Sequence, residues 1–491
     1  MENTVNIEGG ENMTPTEQVE EKKLPDGYIP KDQRKKILLL SDDLRMPSGV
    51  GVISREIVLG TAHKYNWVQL GAAINHPEAG RIMDASESLS KELGIPDASL
   101  RIYPSNGYGD PQTLRFLMMQ ERPDAIMHFT DPRYWIWLYE IEHEIRDVVP
   151  LLFYHVWDDL PFPLYNEDYY RSCDWIACIS RQTYNIVRNV WKKDPLPEKW
   201  QVKYIPHGVD PKVFRKLTTE EELAKVEEAR RQLFGNDDVD FVVLYNNRNI
   251  RRKMTGDVVL AFWEFFKSLP EDKRVNTRLL MHTARVDDNG TDIPALIKGV
   301  CPELEPYVVF NEAKVDPHGL NVIYNLCDVV INMASNEGFG IATLEGMMAE
   351  KMIVANVTGG LQDQMGFVDE KGEYLNEDKH FGAKWGSNHD GKYKKHGEWV
   401  VPLFPNNRAL IGSPPTPYIF DDRCTWEDAA KALRQIYDMT PEERQRRGKS
   451  GRDYALAEGY SVEAMNTTFM EGFDTVFKNW KPRKRFGIWK A

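Results

Sequence analysis

The sequence predicts an α/β fold made of two Rossmann-like domains facing each other across a cleft, and three observations carry that reading. Short, continuous apolar runs recur along the chain, helical stretches lie between them, and the whole pattern occurs twice. Runs of this kind mark strands buried on both faces, and strands alternating with helices close into right-handed βαβ units and a parallel sheet. A chain of 491 residues has room for two such domains.

Taken in order, residues 1–34 read as a disordered acidic tail, since residues 1–32 carry eight acids against three lysines and no apolar periodicity. The first series spans residues 35–210. Its apolar runs are 36–41, 125–129, 151–155, 175–180 and 203–207, with helices over 111–120 and 181–191. The second series spans residues 211–455. A charged helix opens it, between a capping box of Thr219 with Glu222 and a stop at Gly235. Runs at 241–245, 277–282, 307–310, 329–332 and 352–356 follow. Residues 366–420, rich in Gly, Pro, Asn and aromatic residues, read as an irregular insertion. Residues 456–491 read as a C-terminal helix and a basic tail returning towards the first domain.

Composition narrows the function. Lys and Arg number 62 and Asp and Glu 75, a net charge of −13 that does not favour polyanion binding by the chain as a whole. Residues 478–491, however, hold six Lys or Arg and no acid, interleaved with aromatic rings. That composition suits phosphate-backbone contact with base stacking, a membrane surface, or packing back against the acidic amino-terminal domain. Five cysteines without a Cys-x-x-Cys pair exclude a disulfide framework and a zinc ribbon. Apolar runs fall far short of the ~20 residues of a membrane span. The start of the chain lacks the features of a signal peptide, so the expectation is a cytoplasmic protein with no integral membrane association.

The most informative segment is Asn336-Glu337-Gly338-Phe339-Gly340-Ile341-Ala342-Thr343-Leu344-Glu345. A strand runs into a glycine turn and then a helix, whose free amides attract phosphate. Glu345 lies only ~6 Å along that helix, so it and Glu337 can address one ligand.

Glu337 and Glu345, eight residues apart after a strand, resemble the signature of retaining GT-B glycosyltransferases, especially family 4, the "glycosyl transferases group 1" type. Three further segments match in order: Tyr204-Ile205-Pro206-His207-Gly208-Val209-Asp210, then Asn247-Arg248-Asn249-Ile250-Arg251-Arg252-Lys253, then Thr358-Gly359-Gly360-Leu361-Gln362-Asp363. The resemblance implies a GT-B fold and transfer of a sugar from a nucleotide-diphosphate sugar, UDP in the first instance, to a hydroxyl acceptor with retention. It implies that Arg248 and Lys253 grip the diphosphate, with Arg251 or Arg252 sharing that role, and that Gly340, Ile341 and Ala342 hold phosphate through backbone amides. Glu345 would address the ribose and Glu337 the donor sugar. Gly49 and Gly51, in Ser48-Gly49-Val50-Gly51, resemble the family's glycine loop in the first domain, and His155 its cleft histidine. Asp158 and Asp159 are acceptor-side candidates. No metal and no cofactor beyond the nucleotide-sugar co-substrate is implied.

Other features are read as structural. Asp238-Val239-Asp240 precedes a strand and reads as a solvated loop; His380, His389 and His396 lack zinc-ligand spacing; His207 positions the interdomain segment. Residues 41–51 also resemble glycosyltransferases of large tailed phages, which implies a hydroxymethylated pyrimidine in DNA as acceptor, met through the basic C-terminal tail in the host cytoplasm. The rival readings are a glycogen-synthase-like glucan polymerase and a non-catalytic nucleotide-sugar or glycan-binding protein.

Overall fold

A computed structural model describes residues 24–483 apart from residues 75 and 236–237. The first sheet contains β1 (Lys35–Asp42), β2 (Tyr65–Ile74), β3 (Met83–Asp84), β4 (Leu100–Asn106), β5 (Ala125–Phe129), β6 (Leu151–His155), β7 (Trp175–Cys178) and β8 (Val202–Tyr204). Their spatial order is β3-β4-β2-β1-β5-β6-β7-β8, parallel throughout except where β3 meets β4. The central strand shows why the run at 36–41 is uninterrupted. Ile37 and Leu39 pack with Ile53 and Ile57 of the helix Gly49–Thr61, whereas Leu38 and Leu40 pack with Leu114 and Leu117 of the helix Pro111–Glu121. A strand with helices on both faces has no polar side to display.

The second sheet repeats the scheme with β9 (Phe241–Asn246), β10 (Thr277–His282), β11 (Val308–Phe310), β12 (Val329–Asn332), β13 (Met352–Asn356) and β14 (Val400–Leu403). Its order is β11-β10-β9-β12-β13-β14, all parallel. Between the two series, Thr219 and Glu222 form the capping box of the helix Glu220–Phe234.

The chain then crosses back. The helix Val462–Asn479 lies against the first domain: Phe473 meets Tyr65 and Trp67 edge-on, and Gly472 has no side chain where the Trp175 ring packs. At the crossover Val209 bridges to Ser461, each backbone engaging the other segment.

Two sequence expectations change. Residues 24–34 are not wholly a free tail: the Arg34 guanidinium is buried, donates to Asp97 and binds the Ile29 carbonyl, and Tyr28 packs against the apolar core. These contacts hold a segment that is otherwise largely exposed. Residues 1–23 and 484–491, most of the acidic and basic tails, lie outside the described residues. Residues 366–420 are not wholly irregular. They include β14, β15 (Asn407–Ser413) and most of β16 (Thr416–Arg423), the last two forming an antiparallel hairpin apart from both sheets. A half-exposed ribbon has little apolar alternation to signal it. All five cysteines are buried and unpaired. Among the described residues no helix is long and apolar enough to cross a membrane.

The crossover tolerates no side chain at Gly208, where a Cβ would collide with the Ser461 backbone. Gly208→Ala is expected to cost about 1–3 kcal/mol. A clear drop in the thermal unfolding midpoint checks this, and an unchanged midpoint would show the contact to be loose.

Candidate active site

Each parallel sheet has one place where successive connections leave in opposite directions, and the crevice beyond the strand ends there is where such sheets bind ligands. In the first sheet it lies between β1 and β5, in the second between β9 and β12. The two crevices face each other across a cleft of about 770 Å³, lined from both sides.

After β1, Ser48 caps the helix Gly49–Thr61: its hydroxyl accepts from the Gly51 amide at 3.0 Å and donates to Asp42 at 2.6 Å. Gly49 lines the cleft. Gly51 does not; it is a close-packing glycine, since a Cβ would lie 2.7 Å from the Met46 carbonyl oxygen. After β5, Thr130 lines the cleft at φ 117°, a strained conformation for a β-branched residue and one that clusters at functional sites. Asp131 and Arg133 follow, paired through Nε at 2.9 Å.

After β9, the loop brings two cations to Glu337. The Lys253 ammonium pairs with Glu337, and Arg252 lies 3.8 Å from the same oxygen while donating to the Asn336 carbonyl at 2.7 Å. Burial pushes the Glu337 carboxyl up, but Lys253 and Arg252 outweigh it and hold it below the usual glutamate range. Burial draws Lys253 below the ordinary lysine value against the pull of Glu337. Arg248 is not at this cluster. Its side chain is 68% exposed and pairs with Asp287 at 3.2 Å, in a neighbouring groove. The loop turns between the two, so it is Arg252 that joins Lys253.

After β12, Gly340 takes φ 87° as the cap of the helix Ile341–Met348, and the cap makes no side-chain hydrogen bond to the first amides. Gly340 and Ile341 line the cleft. Ala342 sits behind them, its carbonyl oxygen 2.9 Å from the Tyr324 hydroxyl oxygen. The same hydroxyl donates to Glu345 at 2.7 Å, and burial pushes the Glu345 carboxyl up to about 7. In this structure Glu345 therefore faces Tyr324 and not the open cleft.

His155 is also turned away. Strand alternation places its ring beside Phe153, on the other face from Tyr154, where it is fully buried against the Tyr170 hydroxyl at 2.9 Å. The histidine in the cleft is His207, whose Nδ1 is 2.7 Å from the Tyr154 hydroxyl and whose pKa burial lowers to about 3. Asp158 and Asp159 both line the cleft; burial pushes Asp158 up to about 6 and raises Asp159, with Asp158 adding repulsion. Among the described residues no group of three or more His, Cys, Asp or Glu is placed to hold a metal ion.

The sequence reading missed His207 as a cleft residue, Thr130, Asp131, Arg133 and the hairpin. One signal was available: Asp131-Pro132 after an apolar run is a capped turn at a strand's ligand-binding end, and Asp131 does accept from the Arg133 amide.

Two parallel α/β domains with facing switch points, a glycine-capped helix and a cation pair define the architecture of the GT-B glycosyltransferases. Solved structures of that architecture superpose over nearly the whole chain. The Anabaena protein HepE, in complex with UDP and glucose, matches with a TM-score of 0.61 at 14% identity, covering 90% of this chain and 100% of that one. Sucrose-phosphate synthase from Thermosynechococcus elongatus matches with a TM-score of 0.61 at 16% identity, covering 91% and 100%. Among sequences, the chain is 24% identical over 189 residues to an alpha-monoglucosyldiacylglycerol synthase of Acholeplasma laidlawii, covering 38% of this chain and 43% of that protein. It is 31% identical over 167 residues to a D-inositol 3-phosphate glycosyltransferase of Stackebrandtia nassauensis, covering 34% and 35%. The matched segments span less than half the length of either relative. No family model matches the chain.

The Glu345 shift has a defined sign. An acid whose pKa is higher folded than unfolded (about 4.3) binds more protons when folded, so stability falls as pH rises towards about 7. Glu345→Gln removes that loss. Its thermal midpoint is expected to exceed wild type at about pH 8 and to match it near about pH 4. Melting curves at the two pH values check this; an identical difference at both would contradict it.

Proposed function

We propose that the chain is a retaining glycosyltransferase that moves a sugar from a nucleotide-diphosphate sugar to a hydroxyl acceptor. The observation that carries the reading is the convergence of Arg252, Lys253 and Glu337 beside the uncapped helix start at Gly340-Ile341. Departure of a nucleoside diphosphate builds negative charge, and fixed cations together with helix amides stabilise it where it forms. Lys253, held by Glu337 in the free protein, is then shared with the diphosphate, and Glu337 accepts from hydroxyls of the donor sugar. Ribose binding by Glu345 requires its carboxylate to exchange Tyr324 for the donor. No metal or other cofactor enters this reading, because the two side chains supply the positive charge.

Retention follows from same-face attack, with the leaving phosphate accepting the acceptor's proton. His207, neutral in its buried setting, acts as a hydrogen-bond partner at the cleft and not as a charged acid. UDP is the favoured nucleotide because the fold neighbour HepE binds UDP and glucose. A DNA acceptor reached through the basic tail gains no support from the described part of that tail. The Arg483 amide donates to the Arg146 carbonyl, and its guanidinium lies 3.6 Å from Asp174, against the first domain.

Lys253→Ala and Glu337→Gln are each expected to lower turnover by about 10²–10³-fold, the usual cost of one electrostatic stabiliser. Arg252→Ala should lose more activity than Arg248→Ala. UDP release from UDP-glucose, followed with intact folding verified by melting curves, measures all four; wild-type rates in Lys253→Ala would remove the site assignment.

A further inference from the structure

The hairpin β15–β16 belongs to the second domain by sequence but is docked on the first. At its base the Asp422 carboxylate accepts from Thr358 at 2.9 Å and its carbonyl accepts from Asn356 at 2.9 Å, anchoring it to the second domain. Further out, the Phe420 amide donates to the Leu160 carbonyl at 2.6 Å, and Tyr165 donates its hydroxyl to the Tyr418 carbonyl at 2.9 Å. The Tyr165 and Tyr418 rings meet edge-on at 4.9 Å, and Ile419 and Phe420 join the apolar core of the first domain. Asn336, next to Glu337, donates to the Phe420 carbonyl at 2.7 Å, which ties the hairpin to the catalytic loop.

So placed, the hairpin supplies a wall of the cleft that neither parallel sheet provides, through Ile411, Ser413, Thr416, Asp421 and Arg423. Facing it from the first domain are Asp131 and Arg133, and Arg133 donates to the Thr416 hydroxyl across the gap. The charges on this wall are already neutralised. Arg423 donates to Asp421 at 2.7 and 2.9 Å, as Arg133 does to Asp131. These two pairs present many donors and acceptors with no net charge, which suits vicinal hydroxyls and leaves neither Arg423 nor Arg133 free for a phosphate. Arg251 and Arg252 enter the cleft from the loop after β9 and border Arg423 in the neighbouring groove; Arg252 is engaged by Asn336 and Glu337.

Building on the glycosyltransferase reading, we propose that the hairpin Asn407–Arg423 is the acceptor-selecting wall of the cleft and that the acceptor is a neutral polyhydroxylated molecule, a sugar or short glycan. Tyr418 is the positioning residue. It stands outside the cleft and holds the wall in place.

The test uses the full chain with three probes: maltotriose, glucose 6-phosphate, and an oligonucleotide containing 5-hydroxymethylcytosine. Saturation-transfer NMR reads acceptor binding without turnover, and UDP release from UDP-glucose reads catalysis. Maltotriose is expected to bind and to stimulate release, the two phosphate-bearing probes to do neither. Tyr418→Ala should raise the maltotriose KM about tenfold, equivalent to ~1.4 kcal/mol, with acceptor-free hydrolysis keeping its donor KM. Tyr418→Phe, which keeps the ring contact, should restore the wild-type value. Binding or stimulation confined to a phosphate-bearing probe overturns the proposal, as does an unchanged maltotriose KM in a folded Tyr418→Ala. Maltotriose binding that weakens in Tyr418→Ala without any UDP release from wild type would sustain the wall and instead remove the transferase reading.

Discussion

The ion cluster of Glu337 with Lys253 and Arg252 is the constraint around which the site is arranged. Both cations come from the loop after β9 and the carboxylate from the turn after β12, and without the cations the buried carboxylate would be left unpaired. A pair of this kind gives little net stability, because desolvation consumes most of the Coulomb attraction. Its value lies in preorganisation. Under the proposed function, two cations would stand fixed beside the helix start before a diphosphate binds, which would leave little reorganisation at the moment of reaction.

The same economy governs the surrounding polar groups. Tyr324 ties Glu345 to the Ala342 carbonyl and takes a hydrogen bond from Asn246 at 2.8 Å, joining β9, the helix Ile341–Met348 and the helix Pro317–Asn325 through one hydroxyl. Across the domain boundary the Arg181 amide donates to Asp363 at 2.8 Å, and Tyr454 and Tyr460 donate to the Asp363 carbonyl. The domains are thus held by the segment at Gly208, the returning helix, this network and the hairpin. Those contacts set how wide the cleft stands, and hence what can enter.

Much of the fold was legible in the chain itself. Uninterrupted runs such as residues 36–41 signalled strands covered on both faces, and their repetition signalled two domains. The Glu337–Glu345 segment announced a strand, a glycine turn and a helix, because each is a local event. The hairpin escaped notice because its strands are held by Tyr165, Leu160 and Asn336, residues far away in sequence. Arg34 escaped for the same reason, its order coming from Asp97.

Sequence by itself indicated most of the strands, a largely parallel arrangement and the residue types gathered at the strand ends, since these follow from local periodicity and backbone geometry. The strands β2, β4 and β14 escaped that reading. Only the tertiary structure decided which side chains face the cleft. It turned Arg248 outward and Arg252 inward, buried His155 beside Tyr170 while leaving His207 in the cleft, and laid one domain's hairpin across the other. Those outcomes depend on a half-turn of loop, the parity of a strand and contacts between distant segments, none of which a linear pattern records.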